Sequence, residues 1–342
     1  MTGPDVRWSA ATEEASWVKP RLSPFGADRV DSVIPGGFAA YARLLHPVWR
    51  CTPNQNEHLV RWREVAAWSG TALQRTTQFP DIALPRQAPA ETAPWDSQGP
   101  GEGSLPADDA AVLVELLAAH TPDLQQCWFC VWDGYGWDRV VSVSATTGPA
   151  PPPGPTLLPD PIPEWVRSGP RVRLPQREYF LYTGTVHAAL TFIEDPGQTP
   201  NLWWPQHHGW CVASEIDLPW TYLGGPAPLI EAVLADPRLE ALPARPEDPI
   251  QLRTPSWLDT LIADAAAKLF EDCTATVTTW CGSVHASLTR PTADTDGWLR
   301  ISCDVANQFR SSGTALTFQP DNALLDQLHQ ALTIFITGLV NN

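Results

Sequence analysis

Glu215 and Asp217 stand two residues apart in the run NLWWPQHHGWCVASEIDLPWTYLGG, Asn201 to Gly225, beside two histidines, a cysteine and four tryptophans. Two nearby carboxylates suit general acid–base or metal-assisted chemistry, one carrying a proton while the other carries a charge. On an extended chain, alternation puts Cys211, Ala213, Glu215 and Asp217 on one face and Trp210, Val212, Ser214, Ile216 and Leu218 on the other. The strand rise then separates the two carboxylates by roughly 7 Å at their Cα atoms. With His207 or His208 in a Trp-lined pocket, the pair would describe a small hydrolase or transferase. It equally describes the ion-paired face of a half-buried strand.

The remaining reactive side chains lack partners at useful spacing. His207 and His208 are adjacent, so on an extended chain they point in opposite directions and do not share a metal. No HExxH and no pair of CxxC motifs accompanies them, and neither a metal nor a cofactor is expected. Cys127 and Cys130 have redox spacing but follow a helix and enter a strand, the reverse of the context that lowers a thiol pKa at a helix N-terminus. Cys281 and His285 lie about 13 Å apart along a strand, too far for proton transfer. Neither a nucleophile elbow nor a phosphate-binding glycine loop occurs in the sequence.

Tryptophan is the other unusual feature, with 17 residues. Trp203, Trp204, Trp210 and Trp220 could form a ligand or partner surface with His207 and His208, extended by Trp128, Trp132 and Trp137. Core packing explains these large rings as well.

Composition narrows the class. The net charge of −16 opposes nucleic-acid binding, which needs clustered lysine and arginine, and suits a basic protein partner. Seven scattered cysteines and an N-terminus without an apolar signal core point to reduced thiols and a cytoplasmic protein. The tail ALTIFITGLV is shorter than the roughly 20 residues that cross a bilayer, so no membrane association is expected.

These residues must be carried by a scaffold of helices and strands. Residues 1 to 24 read as an irregular lead-in. Phe38, Tyr41, Leu44 and Leu45 are spaced as one face of a short helix ended by Pro47, and Leu59, Trp62, Val65 and Ala66 as another, with Gly70 as its C-cap. SLPADDAAVLVELLAAHTPD predicts a helix capped by Ser104 or Asp108. Strands follow at CWFCVW and REYFLYTGTVHAALTFI, the latter broken at Gly184, and from Trp210 to Leu218. APLIEAVLADPRLEAL predicts a helix, and residues 148–170 a Pro-rich loop or spacer. From Ser256 the order is helix, strand, strand, and a helix starting at Asp321.

The segments FAAYARLLHPV and NLWWPQHHGWCVASEIDLPWTYLGG resemble a family of actinobacterial proteins patterned AYARxLHP and LWWPxxxxWCVxxEIDxxxTYxGG, over about residues 25 to 245. In that family an Asp-Arg pair is usual where this chain has His207 and His208, which opposes a metal role because arginine does not replace a ligand. The resemblance implies a common fold and an actinobacterial origin, and no activity.

The sequence therefore predicts an α+β protein. A mainly antiparallel sheet with flanking helices occupies residues 25–250, and a smaller α-β-β-α lobe residues 255–342. The expected function is a non-catalytic protein-binding module with an acidic, Trp-bearing surface, of the kind an immunity protein turns toward a basic toxin. The alternative is the hydrolase or transferase built on Glu215 and Asp217.

Overall fold

A computed structural model describes residues 6–51, 57–83, 93–96, 99–121, 126–135, 141–142, 156–157, 162–194, 197–250, 256–279, 282–289, 297–305, 314–318 and 328–333. Strands and helices are both abundant, and the class is α+β, with a large antiparallel sheet flanked by helices. The chain divides into two compact units, Met1–His46 with Gly101–Gln251, and Pro47–Pro100 with Leu252–Asn342. The lobes drawn from sequence, 25–250 and 255–342, keep Pro47–Pro100 in the first, whereas the compact units group it with Leu252–Asn342.

The strands are β1 (Val6–Trp8), β2 (Ala40–Leu45), β3 (Val48–Cys51), β4 (Glu57–Val60), β5 (Cys127–Trp132), β6 (Val141–Ser142) and β7 (Thr156–Leu157). Then come β8 (Val172–Leu174), β9 (Arg177–Gly184), β10 (Leu202–Pro205), β11 (Cys211–Ala213), β12 (Trp220–Gly225) and β13 (Ala241–Ala244). β14 (Thr274–Thr279), β15 (Gly282–Thr289), β16 (Gly297–Val305) and β17 (Thr314–Phe318) close the series. The α-helices are α1 (Trp62–Ser69), α2 (Phe79–Ala83), α3 (Ala107–Ala119), α4 (Glu164–Arg167), α5 (Thr191–Glu194), α6 (Ala227–Ala235) and α7 (Ser256–Asp272).

The first unit is built on a nine-stranded sheet ordered β1-β9-β5-β10-β11-β12-β2-β13, with β8 also on β9. Every strand pair in it among the described residues is antiparallel. One face carries Phe129, Trp203, Trp210, Val212 and Leu223 against Leu113 and Leu117 of α3 and Leu229 and Val233 of α6. The opposite face carries Trp128, Trp204 and Tyr41. Trp17 covers Trp204 at 5.8 Å, and Phe38 meets Tyr41 at 5.9 Å. Gly224 is required on that face, because a Cβ there would come within 2.5 Å of the Phe38 ring and 2.9 Å of Tyr41.

Several local expectations are corrected. Residues Ala40–Leu45 form a strand rather than a helix: β2 lies between β12 and β13 and is buried on both faces, so its apolar run satisfies either period. The lead-in is not wholly irregular, since β1 pairs with β9 from Val6 opposite Gly184 to Trp8 opposite Tyr182. After Gly184 the chain turns helical, through a 3-10 segment Val186–Leu190 and α5, rather than resuming a strand. Helix α3 has Pro106 at its N-cap with no side-chain cap. Ser104 instead accepts from the Thr199 N–H at 2.9 Å and ties the helix entry to a distant loop.

In the second unit Leu59 lies on β4, and α1 ends as predicted at Gly70, whose φ of 68° is the left-handed conformation glycine tolerates. Trp62, Phe79, Trp68 and Trp95 form an edge-to-face series with centroids 5.1–5.8 Å apart. Toward the C-terminus the expected pair of strands becomes a four-stranded antiparallel sheet, β14-β15-β16-β17. TATVTTWCGSVHASLTR reverses before Gly282 into two strands, and TALTF adds a fourth. Ile262, Ala266 and Leu269 of α7 pack on Val284, Ala286 and Leu299, with Leu328 and Leu332 from a helical stretch at 328–333.

Candidate functional site

The run from Asn201 to Gly225 supplies three adjacent strands at the middle of the sheet, and its histidines and carboxylates lie in the two connections. Trp203, Trp204, Trp210 and Trp220 are 1%, 0%, 1% and 1% exposed. The expected surface of these four rings is corrected to core: both sheet faces are covered, so alternate tryptophans are buried on each side. Trp210 meets Trp203 edge-on at 5.4 Å and donates its indole N–H to Thr121 Oγ1 at 2.8 Å. Of the three further tryptophans, Trp128 is buried, Trp132 is half-buried, and Trp137 lies outside the described residues.

His207 and His208 occupy the connection between β10 and β11. Gly209 donates its N–H to His207 Nδ1 at 2.8 Å, and His208 takes a φ of 55° in the turn. The His208 ring stacks on Trp17 at 4.5 Å and 19°. Burial, and then Arg21 and His207, hold the imidazolium of His208 below its ordinary pKa against the pull of Glu14. The two histidines thus form a turn and brace the N-terminal cover. Among the described residues no three His, Cys, Asp or Glu side chains group in a way that would hold a metal ion.

Strand β11 ends at Ala213, so the strand expected to reach Leu218 is replaced by a turn. The Leu218 N–H donates to Glu215 O at 3.1 Å, and Asp217 and Pro219 are the turn-forming residues that the alternation overrode. Arg177 on β9 meets this turn, donating from Nη2 and Nε to Glu215 Oε1 at 2.8 and 3.3 Å. Its Nη2 also lies 3.5 Å from Asp217 Oδ2. The Glu215 side chain is 18% exposed and that of Asp217 73%. The two carboxylates therefore share one guanidinium. The cavity beside them, lined by Arg177, Tyr179, Asn201, Ser214 and Glu215 beneath Leu22–Val33, is about 30 Å³. Its enclosed part has room for a few waters, and its mouth opens to solvent.

A second polar series lies behind the same turn, and sequence spacing gave no sign of it. His46 Nδ1 is 2.7 Å from Gly101 O, and its Nε2 is 2.9 Å from Thr221 Oγ1, which is 2.7 Å from Ser214 Oγ. A carbonyl only accepts, so Nδ1 carries the imidazole proton and Nε2 accepts from Thr221. Thr221 in turn accepts from Ser214. Serine, threonine and histidine in series resemble an activated nucleophile, but all three are at most 2% exposed. Complete burial lowers the His46 pKa from 6.5 to about 4, with the Gly101 bond opposing. The series satisfies polar atoms in the sheet interior.

The thiols are equally withdrawn. Cys127, Cys130 and Cys211 are buried on the sheet, and burial raises the Cys127 pKa to about 12 and pushes those of Cys130 and Cys211 upward as well. Cys127 and Cys130 point to opposite faces of β5. In the second unit His285 is exposed and 3.2 Å from Thr276 Oγ1, while Cys281 lies outside the described residues.

Fold and site together define an α+β protein with a buried Trp-rich sheet and an arginine-clamped acidic turn. No protein-family profile, no curated protein and no solved structure matches the chain. No helix among the described residues is long and apolar enough to cross a membrane.

Proposed function

We propose that the chain is a non-catalytic, cytoplasmic protein-binding module whose acidic surface meets a basic partner, in the manner of an immunity protein masking a basic toxin or nuclease. The observation that carries this reading is the Arg177–Glu215 ion pair. It engages the Glu215 carboxylate through two guanidinium nitrogens, beside a cavity of about 30 Å³. A net charge of −16 supplies the long-range field that steers an oppositely charged protein and selects against acidic ones.

The test is capture by the tagged chain from a lysate of its own organism at low and at high salt, with mass spectrometry of what is retained. One basic protein, held at low salt and released at high salt, is the expected outcome. Its association rate should fall at least about tenfold as salt screens the field. A folded chain that retains nothing at low salt, or a partner whose association rate ignores salt, overturns the reading.

A further inference from the structure

The turn that carries Glu215 and Asp217 is overlooked by a loop whose aromatic tip faces outward. Residues Ser23–Asp31 close on themselves through the Ser23 N–H to Asp31 O at 2.7 Å. They are pinned below by Val30 N–H to Asp248 O at 3.0 Å and Ile250 N–H to Asp28 O at 2.9 Å. So anchored, the loop holds Phe25 at 42% exposure, one of the large apolar side chains left open to water. The Arg177 guanidinium carbon lies 5.2 Å from the Phe25 ring centre and 5.3 Å from that of Trp132. An exposed aromatic ring held beside an arginine has the composition of a binding hot spot.

Charge at this place is unbalanced. Arg177 is committed to Glu215, and its longer approach to Asp217 leaves that carboxylate largely in water. Arg177 thus serves both carboxylates of the turn beside the exposed Phe25 ring. A second cation would relieve the repulsion between the two carboxylates, and a planar guanidinium fits best, since it can fork onto Asp217 while stacking on Phe25.

We propose that Phe25 and Asp217 form the docking point for an arginine side chain of a protein partner, with Arg177 holding the acidic turn in place. The inference rests on the protein-binding reading and names the part of the surface that does the binding. It also names the group bound.

The probes are a labelled tetra-arginine peptide and its tetra-lysine counterpart, titrated at low ionic strength against the full chain and followed by fluorescence anisotropy. The arginine peptide should bind about threefold or more tighter than the lysine peptide. Phe25→Ala should erase that preference. Asp217→Asn should weaken the arginine peptide by up to about fivefold, while Glu164→Gln, an equal charge change on α4, should alter it less than about twofold. Circular dichroism melts of each variant confirm that the fold is kept. Equal affinity for the two peptides, or equal weakening by Glu164→Gln, means diffuse attraction only and overturns the docking point. A natural partner captured undiminished by Phe25→Ala and Asp217→Asn leaves the binding reading standing and removes this site. Failure of the wild-type chain to capture anything removes the binding reading itself.

Discussion

Replacing Trp203 by alanine should destabilise the first unit by about 3–5 kcal/mol, the range for emptying a packed aromatic site. The ring is 1% exposed and lies 5.4 Å from Trp210 and 6.0 Å from Phe129, so truncation removes the contact surface of two further aromatic residues. Little can move in to fill the space, because β5 and β11 flank β10 on either side. Trp203→Phe should cost much less, since it keeps a ring and removes an indole N–H that has no partner among the described residues. Trp165→Ala provides the contrast: that side chain is 54% exposed, and its loss should change stability by less than about 1 kcal/mol. Urea unfolding of the three variants reads the differences. Equally small losses at Trp203 and Trp165 would return the tryptophans to the surface.

Stability should also fall with acid in a window set by His46. Its pKa is depressed, from 6.5 to about 4, so the native state resists a proton that the unfolded chain accepts. Above pH 6.5 the ring is neutral in both states and the stabilisation is complete. As pH falls below 6.5 the unfolded chain takes up the proton first, and the loss is complete once pH has passed below about 4. It amounts to roughly 3 kcal/mol, from the 1.36 kcal/mol carried by each unit of pKa difference. His46→Gln should lower stability at neutral pH, by disturbing the bonds to Gly101 and Thr221, yet flatten the pH dependence between 6.5 and 5. Unfolding free energies of both proteins across that range give the comparison. Parallel curves would mean that His46 titrates as it does in water.

What could be read from the residues depended on whether one local period dominated. Helices α3, α6 and α7 were legible because each has an apolar stripe bounded by proline or by turn residues. Strand β2 was not, because AYARLL is buried on both sides and its apolar positions fit a helix equally well. Glu215 and Asp217 are conspicuous in the sequence, but alternation carries the strand past Ala213 and over the turn signals of Asp217 and Pro219. Their cation, Arg177, precedes Glu215 by 38 residues and follows from no local pattern. His46 was harder still. Its partners stand 55 and 175 residues away and meet it only once β2 lies beside β12.

Glu215 serves as the partner of Arg177 in holding the fold. A double-mutant cycle of Arg177→Met and Glu215→Gln, read by urea unfolding, tests this pairing most directly. Both side chains are less than one-fifth exposed, so the single losses should exceed those of a surface pair. The two should also fail to add, with a coupling energy of about 1 kcal/mol or more. Additive losses within about 0.3 kcal/mol would mean that Glu215 stands apart from Arg177, and would return it to the acid–base role its spacing first suggested.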